Sequence, residues 1–506
     1  MPFQFINSII SWFLRKRKHQ IELFLKYPTE VQEEVLFKLL KTARNTEFGK
    51  KYEFSSIQDY SLFIKKVPIQ KYETFEPLIE RCRSGEQNLF WPTKIKWFAK
   101  SSGTTNAKSK FIPVSDEALE YCHMKAGKDM LCLYINNNVD AKLFTGKGLR
   151  LGGSSEVYLD NNSYFGDLSA IIIENMPFWA DFSSAPSQAV ALMSEWESKM
   201  EAIIDETIKE DITSLVGVPS WMLVLLNKVL ERTEKNNILE VWPNLEVYFH
   251  GGVNFNPYKE QYKKLIPRTD FRYYETYNAS EGFFAIQDNN NSNELLLMLD
   301  YGIFYEFIDM KHYKGESSTA IPLGAVKLNV DYALLITTNA GLWRYMIGDT
   351  VRFTSLKPYR IKITGRTRNY INVFGEELNI ENVEDALQIT CKKTNALVKD
   401  YTVGPIFMKS NEKGGHEWVI EFTKAPNSIN YFAEILDNSL KAINSDYEAK
   451  RYKNMTLALP KIHVAREHLF YDWLKNKGKL GGQHKVPRLS NKRDFVEELL
   501  ILQQVR

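Results

Sequence analysis

The chain contains no run of eighteen consecutive apolar residues, so no membrane-spanning helix and no stable membrane insertion are expected. Cysteine is scarce. Cys82, Cys122, Cys132 and Cys391 show neither CxxC spacing nor a pairing scheme, which suits a reducing cytoplasmic setting and makes packing residues of them. The 8 histidines include no HExxH or comparable ligand spacing, which argues against structural zinc. A formal net charge of +3 over 506 residues gives no case for a nucleic-acid partner. There is no internal repeat and no long low-complexity stretch, and nothing in the sequence speaks to an oligomeric state. No secretory signal is expected either, because the basic run Arg15 to Lys18 follows the apolar residues Phe3, Ile6, Ile9, Ile10, Trp12, Phe13 and Leu14. That segment is expected to pack on the domain as a helix with its basic end solvated, although the same pattern also suits contact with a membrane surface.

What is present is the composition of a globular enzyme, 44% apolar and 13% aromatic, with length for two to three domains. Residues 20–90 read as mainly helical, with Val31, Val35, Leu36, Leu39 and Leu40 at helical spacing between Glu30 and Ala43. From there to about 350, short strands alternate with helices such as 196–208 and 218–230, the mark of an α/β domain with ligands at its strand ends. Beyond Arg366 the pattern changes to helices at 381–394, 428–444 and 494–503 with strands at 396–403 and 418–422. The expectation is therefore a large N-terminal α/β domain over 1–365 and a smaller α+β domain over 366–506.

One loop stands out. Lys100-Ser101-Ser102-Gly103-Thr104-Thr105-Asn106-Ala107-Lys108-Ser109-Lys110 lies between two predicted strands, 94–100 and 111–114. Gly103 allows close backbone approach to an anion, Ser101, Ser102, Thr104 and Thr105 can donate to phosphate oxygens, and Lys110 can add a point charge. The GxxxxGK[ST] pattern of P-loop NTPases is absent, and a plain Ser/Gly turn with a solvated lysine is the alternative reading.

Three further segments follow in order: Tyr277-Asn278-Ala279-Ser280-Glu281-Gly282, Trp343-Arg344-Tyr345-Met346-Ile347-Gly348-Asp349, and Ile361 to Arg368 leading into Val373 to Leu378. As an ordered set they resemble the nucleotide-binding motifs of the adenylate-forming superfamily, and within it the acyl acid amido synthetases of the Gretchen Hagen 3 family. Asn45 to Gly49, Val67 to Tyr72 and Gln483 to Arg488 extend the likeness over nearly the whole chain.

The resemblance implies a large ATP- and acyl-binding domain with a smaller mobile C-terminal domain, ATP and Mg²⁺ as cofactors, and a small-molecule carboxylic acid with an amine or amino acid acceptor. It assigns the phosphate loop and Lys110 to the departing pyrophosphate and Glu281 to Mg²⁺. Tyr277 and Ser280 fall at the adenine, Asp349 at the ribose hydroxyls, and Arg366 at ribose or phosphate from the hinge. His250 and Gly251 would border the acyl and adenine pockets, with Trp221 in the acyl pocket, and Lys485 would neutralise charge in the adenylation step. Ala107 replaces a common second glycine, and Met346 stands where arginine is usual, which leaves Arg344 or Arg366 as the basic partner. Ser280 does not suit a hydrolase nucleophile, since Asn278 replaces the first glycine of GxSxG. Thioester formation with coenzyme A and a non-catalytic nucleotide-binding relative stay open. So does the ordinary reading of Glu281 and Asp349 as strand-end carboxylates, of His250 as part of a turn and of Lys485 as a solvated lysine.

Overall fold

The helix Pro28–Ala43 starts with proline in its first turn, where no amide hydrogen is needed, and buries Leu36, Leu39, Leu40 and Ala43 along one stripe. Gln32 lies on that buried stripe. Its amide donates to the Leu299 and Ile303 carbonyls at 2.9 Å and accepts from the Tyr305 amide at 2.8 Å, so a buried polar side chain is fully satisfied and fixes the helix to a strand. The computed structural model describes residues 17–504 apart from 102–109, 153–157, 161–162, 253–254, 256–257, 368–369, 372–375, 377, 408–413, 445–446, 449–450, 452–456, 480–485 and 491. The expected N-terminal segment lies outside these residues up to Arg17, and Arg17 is not solvated as expected. It pairs with Asp129 and Asp300 at 2.8 Å, which pins the first described helix, Lys18–Lys26, to the body of the protein.

Among the described residues, twelve strands form one sheet. In its first half, Ser184–Ala185, Lys147–Leu151, Ile212–Gly217, Val247–Gly251 and Arg272–Ala279 run parallel, joined by helices that include Trp196–Thr207 and Pro219–Thr233. The second half departs from the expected alternation. From Gly282 to Arg366 the strands Gly282–Gln287, Leu295–Leu297, Ile303–Asp309, Asp331–Thr338, Tyr345–Leu356 and Tyr359–Arg366 are antiparallel, with no intervening α-helix. Short turns suffice for antiparallel neighbours, whereas parallel ones need a crossover. A separate four-stranded sheet carries Trp97–Ser101 and Lys110–Val114 as antiparallel neighbours, the two roots of the serine- and glycine-rich loop.

After Arg366, the strands Leu397–Ile406, Gly415–Lys424 and Lys461–Ala465 form a three-stranded sheet covered by helices Ile380–Thr394 and Ile429–Ile443. Its core of Trp418, Ile420, Phe432, Leu436 and Leu440 is separate from that of the large sheet. Helix Leu469–Asn476 of this module joins the apolar cluster around Trp196, Trp221 and Leu226 through Phe470 and Leu474. Arg488 belongs to the same seam. It donates to Asp400 and to the Tyr401 carbonyl at 3.0 Å, lies 4.6 Å from the Tyr401 ring centre, and sends one bond across to the Tyr258 hydroxyl at 3.1 Å.

Candidate active site

The parallel half ends where the strand Arg272–Ala279 turns at Ser280 and Glu281 into the antiparallel strand Gly282–Gln287. That turn therefore sits at the carboxyl end of the parallel strands, where open α/β sheets place ligands. The neighbouring parallel strand ends at His250 and Gly251, paired with Glu275 and Thr276. Only glycine fits at 251, because a side-chain carbon would lie 2.5 Å from the Thr276 carbonyl oxygen.

Asp349 comes from the other side. The antiparallel register sets Asp349 opposite Arg366, and Gly348 just before it takes the left-handed conformation at φ +92°. Among the described residues each Asp349 oxygen has one partner: the Tyr277 hydroxyl donates to Oδ2 at 2.7 Å and Arg366 Nε approaches Oδ1 at 3.0 Å. Asp349 is 9% exposed at its side chain and Arg366 43%, so the carboxylate is fixed while the guanidinium faces outward. The Asp349 charge raises the Arg366 guanidinium pKa above its ordinary value, and burial beside Asp349 raises the Tyr277 phenol well above its own. Each carboxylate oxygen keeps one lone pair for a ligand hydroxyl.

Tyr277, Ser280, Glu281, Asp349, Arg366, Lys110, His250 and Trp221 all border one cleft of about 1670 Å³ between the large sheet and the C-terminal module. Burial raises the Glu281 carboxyl pKa above the usual range, with Lys110 as the leading opposing charge, and the Tyr345 hydroxyl lies 3.5 Å away. Burial pushes the His250 imidazole down to about 3, so it is neutral near pH 7, and it stacks on Phe255 at 4.2 Å. Among the described residues the buried His250 Nδ1 and Ser280 Oγ find no hydrogen-bond partner, which leaves both able to meet a ligand in the cleft. Trp221 packs edge-on against Trp196 at 4.7 Å.

Ser101 pairs through its backbone with Lys110. Ser102, Gly103, Thr104, Thr105 and Lys485 lie outside the described residues. Arg344 is not a partner at the cleft: it is buried, bound to Glu306 at 2.9 Å and to the Val67 carbonyl at 2.7 Å. Of the two arginines considered, Arg366 alone reaches Asp349. Residues that sequence reasoning gave no role are Tyr345 beside Glu281, Glu275 and Lys71 along the cleft wall, and Tyr72, whose hydroxyl accepts from the Phe111 amide at 2.8 Å. Tyr72 and Tyr345 sit inside segments the sequence had singled out, but a contact between distant segments leaves no local pattern.

Among the described residues no group of three His, Cys, Asp or Glu side chains could hold a metal ion. A lone carboxylate at Glu281 nevertheless fits Mg²⁺ carried on a nucleotide, because that ion takes most of its ligands from phosphate oxygens and water. No helix among the described residues is long and apolar enough to cross a membrane.

Comparison with known proteins gives the same picture from end to end. Family models described as GH3 family N-terminal, central and C-terminal domain match residues 17–271, 296–366 and 381–494. Indole-3-acetic acid-amido synthetase GH3.4 of Arabidopsis thaliana is 22% identical over 92% of this chain and 90% of its own length. Jasmonoyl–L-amino acid synthetase JAR6 of Nicotiana attenuata is 22% identical over 93% and 92%. The solved GH3.15 acyl acid amido synthetase superposes with a TM-score of 0.79 at 16% identity, over 97% of this chain and 96% of its own. A 2-hydroxyisobutyryl-CoA ligase in the postadenylation state reaches 0.60 at 12% identity over 94% and 91%, which places the fold among adenylate-forming ligases. With its N-terminal model alone covering half of the sequence, and the two others following in order, the chain belongs to the GH3 family.

Proposed function

We propose that this protein is an ATP-dependent ligase that adenylates a carboxylic acid and transfers the acyl group to the amine of an amino acid. The observation that carries the reading is Asp349, held between the Tyr277 hydroxyl and Arg366 at a cleft that also receives Glu281 and Lys110. Asp349 accepts from the ribose hydroxyls with its free lone pairs, and His250 and Ser280 offer their unpartnered polar atoms to the nucleoside and the acyl group. Lys110 and the serine- and threonine-bearing loop take the phosphates, and Glu281 holds Mg²⁺, which neutralises phosphate charge when bound.

In the first step a carboxylate oxygen of the acid attacks the α-phosphorus, and the bond to the leaving pyrophosphate breaks. In the second, the neutral amine attacks the acyl carbon, AMP leaves, and the nitrogen gives up a proton. Lys485 carries the charge of the first step, and the module after residue 365 turns between the two steps. Amide formation is supported by the relatives, whose names pair an acid with amido or amino acid synthesis. The test is a screen of carboxylic acids by ATP–pyrophosphate exchange, followed by mass spectrometry with amino acids or coenzyme A as acceptor. Exchange followed by a thioester and no amide overturns the second half of the proposal. ATP binding without exchange for any acid leaves a non-catalytic relative.

A further inference from the structure

The ammonium of Lys110 is not simply a solvated charge at the end of a loop. Its Nζ lies 5.4 Å from the ring centre of Tyr72, and the hydroxyl of the same tyrosine accepts from the amide of Phe111, one residue further on, at 2.8 Å. Tyr72 is 6% exposed, and burial pushes its phenol up to about 12, so it stays neutral and keeps both contacts at any working pH. Tyr72 is in turn fixed from behind. Two residues earlier, Gln70 is clamped by backbone bonds on both sides, its amide to the Arg344 carbonyl at 2.9 Å and its carbonyl from the Met346 amide at 2.8 Å. Arg344 itself is locked by the buried Glu306. The strand that begins at Tyr345 is the one that carries Asp349.

We infer that Tyr72 is a positioning residue for phosphate binding: it holds Lys110 and the root of the phosphate loop at a fixed place relative to the Asp349 strand, so that one nucleotide spans both. The inference rests on the proposed nucleotide site and extends it. A cation held over an aromatic face keeps its charge and loses freedom, so less ordering is left to be done when phosphate arrives. Tyr72 touches no substrate atom in this role. It sets where Lys110 can reach.

Two substitutions divide the contacts. Tyr72→Phe keeps the ring under Lys110 and removes only the acceptor for the Phe111 amide, whereas Tyr72→Leu removes both. Binding is measured by calorimetry with inorganic pyrophosphate and, separately, with AMP, which meets Asp349 and the purine wall but not the pyrophosphate site. Thermal unfolding is followed on the same samples. The expected result is that Tyr72→Leu weakens pyrophosphate about tenfold, that Tyr72→Phe loses less than half of that effect on a logarithmic scale, and that AMP affinity stays within about twofold in both. Parental pyrophosphate affinity in Tyr72→Leu overturns the inference. So does a parallel loss for AMP and pyrophosphate, which marks a merely structural residue. If Tyr72→Leu does not fold, Lys110→Met takes its place: the ring stays and the ammonium it holds is gone, so pyrophosphate affinity must fall at least about tenfold with AMP affinity within about twofold, and parental pyrophosphate affinity in Lys110→Met overturns the inference. A parent that binds pyrophosphate but exchanges it with no acid refutes the ligase reading and leaves this test intact.

Discussion

Replacing Asp349 by asparagine keeps the shape of the side chain and removes its charge. In the folded protein that charge is shared between two donors, the Tyr277 hydroxyl at 2.7 Å and Arg366 Nε at 3.0 Å. Asparagine has one acceptor oxygen, so it can satisfy one of them and must turn its NH₂ group towards the other. On the proposed assignment a nucleotide loses more, since its ribose hydroxyls would meet an amide in place of a carboxylate. A hydrogen bond to a charged group contributes about 1.5–3 kcal/mol, so AMP affinity should fall by roughly one to two orders of magnitude. Pyrophosphate does not touch the ribose wall and should bind as before. Stability should change by less than about 1 kcal/mol, because Arg366 is 43% exposed and water replaces much of what Asp349 supplied. Titration calorimetry with AMP and with pyrophosphate, together with a urea melt, reads all three. Unchanged AMP affinity refutes the ribose assignment, and equal loss for both ligands shows that the strand has moved.

Glu281→Gln should lower adenylation by about two orders of magnitude and shift the Mg²⁺ dependence to higher concentration with only partial recovery; an unaltered Mg²⁺ curve removes Glu281 from the metal. Arg344→Met leaves Glu306 buried without its countercharge and should cost about 3–5 kcal/mol in a denaturant melt, with part of that regained when Glu306→Leu is added. Loss of less than 1 kcal/mol in the single variant contradicts the pair's structural role. Burial pushes the Glu275 carboxyl up to about 7 from its ordinary 4.5, so the native state holds this proton more tightly than the unfolded chain. Its contribution is present below pH 4.5 and is lost as pH rises through 7. Glu275→Gln should therefore stabilise the protein on the order of 2 kcal/mol at pH 8 and not at all at pH 4, and a pH-independent difference sinks this account.

Much of the framework was readable in the sequence because it follows local rules. The apolar spacing of Leu36, Leu39 and Leu40 gave the helix that is found, Pro28–Ala43, and the helices read at 196–208 and 218–230 are found at Trp196–Thr207 and Pro219–Thr233. The antiparallel half was less legible. Val351 and Phe353 face the core, but the alternating Thr350, Arg352 and Thr354 read equally as loop. The strand Lys461–Ala465 was missed because its residues are mostly half-exposed and its parallel partner lies some forty residues away. Ordered motifs singled out Tyr277, Asp349 and Arg366, and the three lie together at the cleft. That Tyr277 would spend its hydroxyl on Asp349, and that Arg344 would turn into the core, depend on contacts across 72 and 38 residues of sequence.

The seam around Arg488 has a consequence for motion. This half-buried guanidinium carries its counterion with it, since Asp400, the Tyr401 carbonyl and the Tyr401 ring all belong to its own module, and a single bond to a neutral hydroxyl crosses to Tyr258. Swinging the module away would thus strand no naked charge in a dry interior. At Arg488 the electrostatic toll of parting is one hydrogen bond; elsewhere on the seam the helix Leu469–Asn476 adds the Lys475–Glu197 pair at 2.9 Å to the apolar contacts of Phe470 and Leu474 with the Trp221 cluster. Raised salt should therefore act on the exposed Lys475–Glu197 pair and leave the contribution of Arg488 unchanged, while temperature acts on the apolar contacts of the same helix.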